Sequence, residues 1–166
     1  MAGQYFLKID GIEGESLDEQ HKGEIELDSW MFGGAMSGPL KTGSGAGAGK
    51  FTAQDFQFTA KVSKASPMLF LACTTGRRMP KATMTGRKGG DRPVDYFTIT
   101  LSDVMISSYQ ENGASGTGMA PMEQVSCVFT KIQLEYRPIN EDGSLGNPVS
   151  ATYDVKKARP TRARRR

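Results

Sequence analysis

Apolar residues recur along this chain at every second position in short runs, and turn residues separate the runs. That spacing is the mark of β-strands with one wet face. Residues 4–9, QYFLKI, form the first run, and Asp10-Gly11 ends it as a turn pair. Residues 12–23 are polar, contain Gly14, Asp18 and Gly23, and read as a loop. Strand character resumes at Glu24 and continues to Phe32. From 51 to 62 the alternation puts Phe56, Phe58, Ala60 and Val62 on one face and Asp55, Gln57, Thr59 and Lys61 on the other.

The stretch 66–76 departs from this period. Ser66 is suited to cap a helix and Pro67 to its first position; MLFLAC supplies the apolar run, and Gly76 a left-handed stop. A helix this short needs packing to persist, and a seat over one open end of a barrel would supply it. A polar strand at 81–87 and a Gly-Gly-Asp turn at 89–91 follow. The long strand 94–109 changes register at Ser102-Asp103. In 122–136 the apolar face passes from Val125, Cys127 and Phe129 to Ile132, Leu134 and Tyr136. Such a phase change marks a bulge or a crossing between sheets. A turn at 140–143 and a last strand at 149–156 complete a mainly β chain with one short helix, which predicts a small barrel or sandwich.

Two segments stand outside the strands. Residues 33–50, GGAMSGPLKTGSGAGAGK, have too few large side chains to hold regular structure and read as a long loop. Residues 111–118, ENGASGTG, read as another exposed loop.

Charge sharpens the picture. The net charge is +3, yet residues 156–166 carry seven basic side chains and no acid, so the remainder has four negative charges in excess. A nucleic-acid-binding domain spreads its basic residues over a folded face, and here they sit in a tail; no nucleic-acid partner is expected. No apolar run reaches the roughly 20 residues of a membrane span, so no membrane insertion is expected. The N-terminus lacks a signal-peptide pattern, which places synthesis and assembly in the cytoplasm. Cys73 and Cys127 have no companion ligand at metal spacing and read as reduced, buried thiols.

Candidate chemistry adds little. Lys50 follows a glycine-rich stretch, but the phosphate-loop spacing puts Ser44 where glycine is needed and Phe51 where the magnesium-binding hydroxyl belongs. The lone His21 has no nucleophile beside it, and Asp18 and Glu24 are as readily surface charges. One histidine and two scattered cysteines close no tetrahedral metal site. No catalytic residue, cofactor or metal is expected.

The blocks themselves resemble a known family. FLKIDGIEGES with Asp18, His21 and Gly23, then the Trp30 strand, is similar to the N-terminal signature of the Hcp (haemolysin-coregulated) family. The glycine-rich loop ending in GAGK and the strand FTAQDFQFTAKVSKASP resemble its second block. LFLACTTGRRMPKATMTGRKGG, VDYFTITLSDVMISSY and PMEQVSCVFTKIQLEYRP follow in the same order over about residues 4–157. The resemblance implies a Hcp-like β-barrel domain at 1–157, of two antiparallel sheets with one short helix, assembling as a hexameric ring. Rings of that family stack into the inner tube of the type VI secretion system, inside a contractile sheath and behind a spike protein. Sheath contraction expels the tube without a signal peptide, with effector proteins bound in its lumen. The tail 158–166 is outside the family pattern.

On that architecture, alternation about a core Trp30 turns Ser29 and Met31 to the opposite face, as candidates to line the lumen. Gly33, Gly34, Leu40, Lys41, Gly43, Gly45, Gly47, Gly49 and Lys50 of the first loop are candidate contacts between subunits or rings, with Gly113 and Gly116 of the second. Three rival readings remain: a phage-like contractile tail-tube subunit, a secreted effector that uses the barrel as a carrier, and a nucleic-acid binder acting through the tail.

Overall fold

The computed structural model describes residues 3–38, 49–116 and 118–161. Among them are twelve strands: β1 (Gly3–Ile9), β2 (Ile25–Leu27), β3 (Ser29–Met31), β4 (Gly34–Ser37), β5 (Lys50–Ala53), β6 (Phe56–Lys61), β7 (Arg78–Lys88), β8 (Val94–Asn112), β9 (Met122–Val128), β10 (Lys131–Tyr136), β11 (Val149–Asp154) and β12 (Arg159–Thr161). One helix, α1 (Ala65–Thr75), lies between β6 and β7.

All the strand pairs are antiparallel, and most of them wrap into a barrel. Its wall runs β2-β1-β7-β8 in one direction and β8-β9-β6-β3 in the other. Strand β3 continues β2 past Asp28, whose backbone N–H donates to the Thr59 carbonyl at 2.9 Å and closes the circuit. The expected single strand at 24–32 is therefore two short ones, bent at Asp28 to turn the barrel's corner. β10, β11 and β12 extend the sheet beyond the first half of β8.

The length of β8 makes this possible. Residues 97–102 pair with β10 and 105–112 with β9, and the change of partner falls at Asp103, which takes a left-handed φ of 53°. Aspartate tolerates that conformation better than most residues. The phase change in 122–136 is the matching break: β9 pairs with β6, and β10 with β11.

The core fills as alternation predicts. Phe56, Phe58 and Ala60 of β6 meet Leu7, Ile9, Met84, Ile99, Leu101, Val104, Val125 and Cys127, all essentially inaccessible. Each such aromatic or branched side chain contributes about 1.5–3 kcal/mol through burial.

Helix α1 adds Ala65, Leu69 and Ala72 to the core and packs on β8. Its start corrects the expected cap. Lys64 holds the capping position and makes no side-chain cap bond. The Ser63 hydroxyl instead accepts the Ala65 N–H at 3.2 Å, while the Ser66 hydroxyl accepts the Ser63 N–H at 2.9 Å. Pro67 is the third helical residue, still in the first turn, where its missing N–H costs nothing. Gly76 ends the helix in the left-handed conformation, with φ 60°.

Three further departures are informative. The ends of the 33–50 segment are not loop: β4 and β5 pair from Gly34↔Ala53 to Ser37↔Lys50 as a separate two-stranded ribbon. The 12–23 segment forms no strand, yet it buries Ile12, Ser16 and His21. The start of the basic tail is an edge strand, with Arg159 opposite Asp154 and Pro160 opposite Tyr153. Proline suits an edge because it has no N–H to donate.

Candidate functional site

The face of β3 divides as alternation requires. Trp30 turns inward and is partly buried, edge-on to Tyr5 at 5.9 Å and stacked near Phe97 at 5.7 Å and Phe56 at 6.4 Å. Ser29 and Met31 turn outward; Met31 is 55% exposed, and the Ser29 and Thr59 hydroxyls share a hydrogen bond of 2.6 Å. The pairing Ser29↔Thr59 and Met31↔Gln57 makes a small polar surface with one adaptable thioether in it.

The ribbon β4–β5 projects from the next part of the chain. Gly33 accepts the Gln54 N–H at 2.8 Å at its base. Gly34 has to be glycine, because the Phe51 ring lies across the position where a Cβ would stand. Phe51 in turn packs edge-on against Tyr153 of β11 at 4.8 Å, which ties the ribbon to the barrel. Gly49 packs against the Ser37 carbonyl, and Lys50 pairs with Ser37 in the ladder. Lys50 opens a strand, where the lysine of a phosphate loop would open a helix. Met36 is 67% exposed. Of the remaining candidates, Leu40, Lys41, Gly43, Gly45 and Gly47 lie outside the described residues.

Gly113 and Gly116 fall in the exposed connection from β8 to β9. Gly116 needs its left-handed φ of 79°, and Gly113 lies beside Pro121, whose carbonyl accepts the Val62 N–H at 2.9 Å. Neither glycine has Ser29 or Met31 within 4 Å of its Cβ position, and their connection forms a second exposed patch whose Ala120 shares a cleft with Asp28 beside β3. The helix presents a third, where Met68, Phe70 and Leu71 are exposed and Phe70 leans on Tyr109 at 5.8 Å.

A buried ionic cluster fixes the 12–23 segment, and sequence reasoning missed its centre. The Arg87 side chain is 2% exposed. It donates through Nε to Asp95 at 2.8 Å, through one terminal nitrogen to Asp18 at 2.7 Å, and through the other to Gln20 at 2.6 Å. Its guanidinium lies over the Phe6 ring at 5.5 Å. His21 stacks on the same ring at 4.4 Å and bridges Glu24 at 2.9 Å and Asp95 at 3.2 Å. The histidine is held in place by this cluster, and Asp18 and Glu24 are its supports rather than free surface charges.

Burial opposes the Arg87 charge, but hydrogen bonds to Asp95 and Asp18 outweigh it and raise its pKa. Desolvation likewise opposes ionised Asp18. Hydrogen bonds from the Gln20 N–H, Arg87 and the His21 N–H prevail, and hold Asp18 below the usual carboxylate range. No local signal marks Arg87, since two of its three partners stand 69 and 67 positions away. Among the described residues, no three His, Cys, Asp or Glu side chains are placed to hold a metal ion.

The described residues thus form an antiparallel barrel with a two-stranded ribbon tied to it and apolar side chains exposed on its one helix. Comparison with known proteins gives the class its name. Residues 6–136 match the family model described as "Type VI secretion system effector, Hcp". Protein hcp1 of Pseudomonas aeruginosa is 38% identical over 158 residues, which span 94% of this chain and 97% of that protein. The structure of Hcp1 from Salmonella typhimurium superposes with a TM-score of 0.80 at 32% identity, over 97% of this chain and 100% of that one. A type VI secretion system effector from Yersinia pestis gives 0.72 at 34% identity, over 91% and 99%. This chain belongs to the Hcp family and is a type VI secretion tube protein. No helix among the described residues is long and apolar enough to cross a membrane.

Proposed function

We propose that six copies of this chain close into a ring and that the rings stack into the inner tube of the secretion machine, with a spike protein at the tip and the contractile sheath outside. The subunit acts without catalysis, is assembled in the cytoplasm and is expelled when the sheath contracts. The observation that carries this reading is the β4–β5 ribbon. A two-stranded ribbon is marginal alone in water, and this one is anchored by Phe51 on Tyr153 while Met36, opposite Phe51, stays exposed. Seating it on a neighbouring copy supplies the missing contacts. Head-to-tail contacts close a ring in one direction and repeat without limit along the tube axis. The exposed 113–116 connection is a second contact of the same kind.

The outward face of β3 is the lumen wall in this reading, and effector proteins rest against Ser29 and Met31. Substituting Met31 with arginine is expected to reduce co-purification and co-secretion of effectors at least about tenfold while the rings persist, because an uncompensated charge is set against the cargo. Effector capture equal to wild type in M31R, measured by pull-down on intact rings, removes β3 from the cargo surface. The 1–157 barrel is the assembling unit, and deletion of 162–166 is expected to leave rings intact, as a run of like charges builds no core.

A further inference from the structure

Glu123 lies in the middle of β9 and is 1% exposed. Carboxylates are almost never buried so deeply without a charged partner. Tyr109 of β8 donates its hydroxyl to Oε2 at 3.1 Å, and among the described residues nothing hydrogen-bonds Oε1. Across the sheet Glu123 stands opposite Ala60 of β6 and Glu111 of β8. From β8, then, it meets a phenol and a second carboxylate; from β6 it meets a methyl group, since Lys61 belongs to the other face. The remaining neighbour is the Ser66 hydroxyl of α1, which lies beside the carboxyl and already accepts the Ser63 N–H. No cation faces Glu123 from any of these elements.

The groups that meet at Glu123 also hold the helix. Ser66 is in the first turn of α1, and Tyr109 supports Phe70 on the next turn. Between helix and sheet runs an open cleft of about 400 Å³, lined by Val62, Ser63, Ser66, Pro67, Phe70, Tyr109 and Glu111. A small outward movement of α1 would carry water from this cleft to the carboxyl.

We propose that Glu123 is a proton-controlled latch on helix α1: with the carboxyl protonated the helix lies closed on β8 and β9, and loss of the proton favours its opening to water. Burial first, and the Glu111 charge after it, raise the Glu123 pKa against the weaker lowering by Ser66 and Tyr109. Tyr109 itself is pushed up to about 12 by burial and by Glu123, so it remains a donor throughout. The sign follows from linkage. The closed helix has its full stability below the ordinary carboxylate pKa, about 4.3. It loses stability as pH rises through the raised pKa of Glu123, and then levels off. The exposed apolar side chains Met68, Phe70 and Leu71 thus keep their arrangement on the acid side and loosen on the alkaline side.

Hydrogen exchange on the full chain tests this, with rates at about pH 5 to 9 corrected for the intrinsic pH dependence of exchange. Protection of residues 65–75 is expected to fall by up to about tenfold per pH unit over part of this range, while peptides of β1 and β7 keep theirs. In E123Q the protection should stay high and flat. In E111Q the fall should end at lower pH, because a like charge has been removed. A fall that persists in E123Q, or its absence in the wild type, overturns the proposal. Should E123Q not fold, an unchanged course in E111Q overturns it equally.

Discussion

Arg87→Ala is expected to lower stability by about 3 kcal/mol and the melting temperature by roughly 6–12 °C, the largest effect of any polar substitution in this chain. Arg87 uses three nitrogens for three different acceptors on two segments, and its planar face covers Phe6. Removing it takes one charged donor from each of Asp95, Asp18 and Gln20 at once and opens space beside a core aromatic. Arg87→Lys is expected to recover little, since an ammonium group does not reproduce the guanidinium fork. The same cluster governs the acid side. Asp18 has a lowered pKa, so its contribution is complete above the ordinary carboxylate range and is lost as pH falls through that lowered value. Urea unfolding of the wild type and R87A at several acid and neutral pH values checks both points. The loss of stability on acidification should be smaller in R87A. A variant within about 0.5 kcal/mol of the wild type would mean that the cluster does not clamp the 12–23 segment.

Shortening the ribbon is expected to have the largest effect on assembly. Ser37 and Lys50 face each other at the last described rung of β4–β5, so a two-residue Asn-Gly turn can join them in place of residues 38–49. Gly38 and Gly49, the described residues of that segment, are not among the core residues, and the melting temperature should change by no more than a few degrees. On the proposed assembly, stacking of rings should fall below detection by electron microscopy, since the ribbon that seats on the neighbouring ring keeps its rungs but loses residues 38–49 beyond them. Full-length stacks formed by the shortened chain would assign stacking to other surfaces.

What was legible in the sequence was whatever neighbouring residues decide. The alternation of Phe56, Phe58 and Ala60 specifies a buried face wherever the strand lies, and Gly76 ends a helix by its own backbone freedom. The break at Asp103 and the phase change after Phe129 were visible one strand at a time; only the structure joins them as the line where β8 exchanges β9 for β10. Glycine-rich sequence has low strand propensity and predicts loop at the ribbon, a preference overridden when Phe51 crosses Gly34 and anchors on Tyr153. Arg87 carries no sign of burial within its polar strand, because that burial is made by residues nearly 70 positions away. The tertiary fold likewise decides which of two similar glutamates is exposed: Glu111 and Glu123 oppose each other in one ladder, and only the second is covered by α1. Function is legible in the ordered sequence blocks, since the fold alone carries many functions.

The most direct test of the ring-forming account is light scattering on a sizing column, with negative-stain images of the same peak. The account predicts a particle of about six subunits with an open centre, present at micromolar concentration and in moderate salt. A monomer under all these conditions, with no rings in any image, would contradict it.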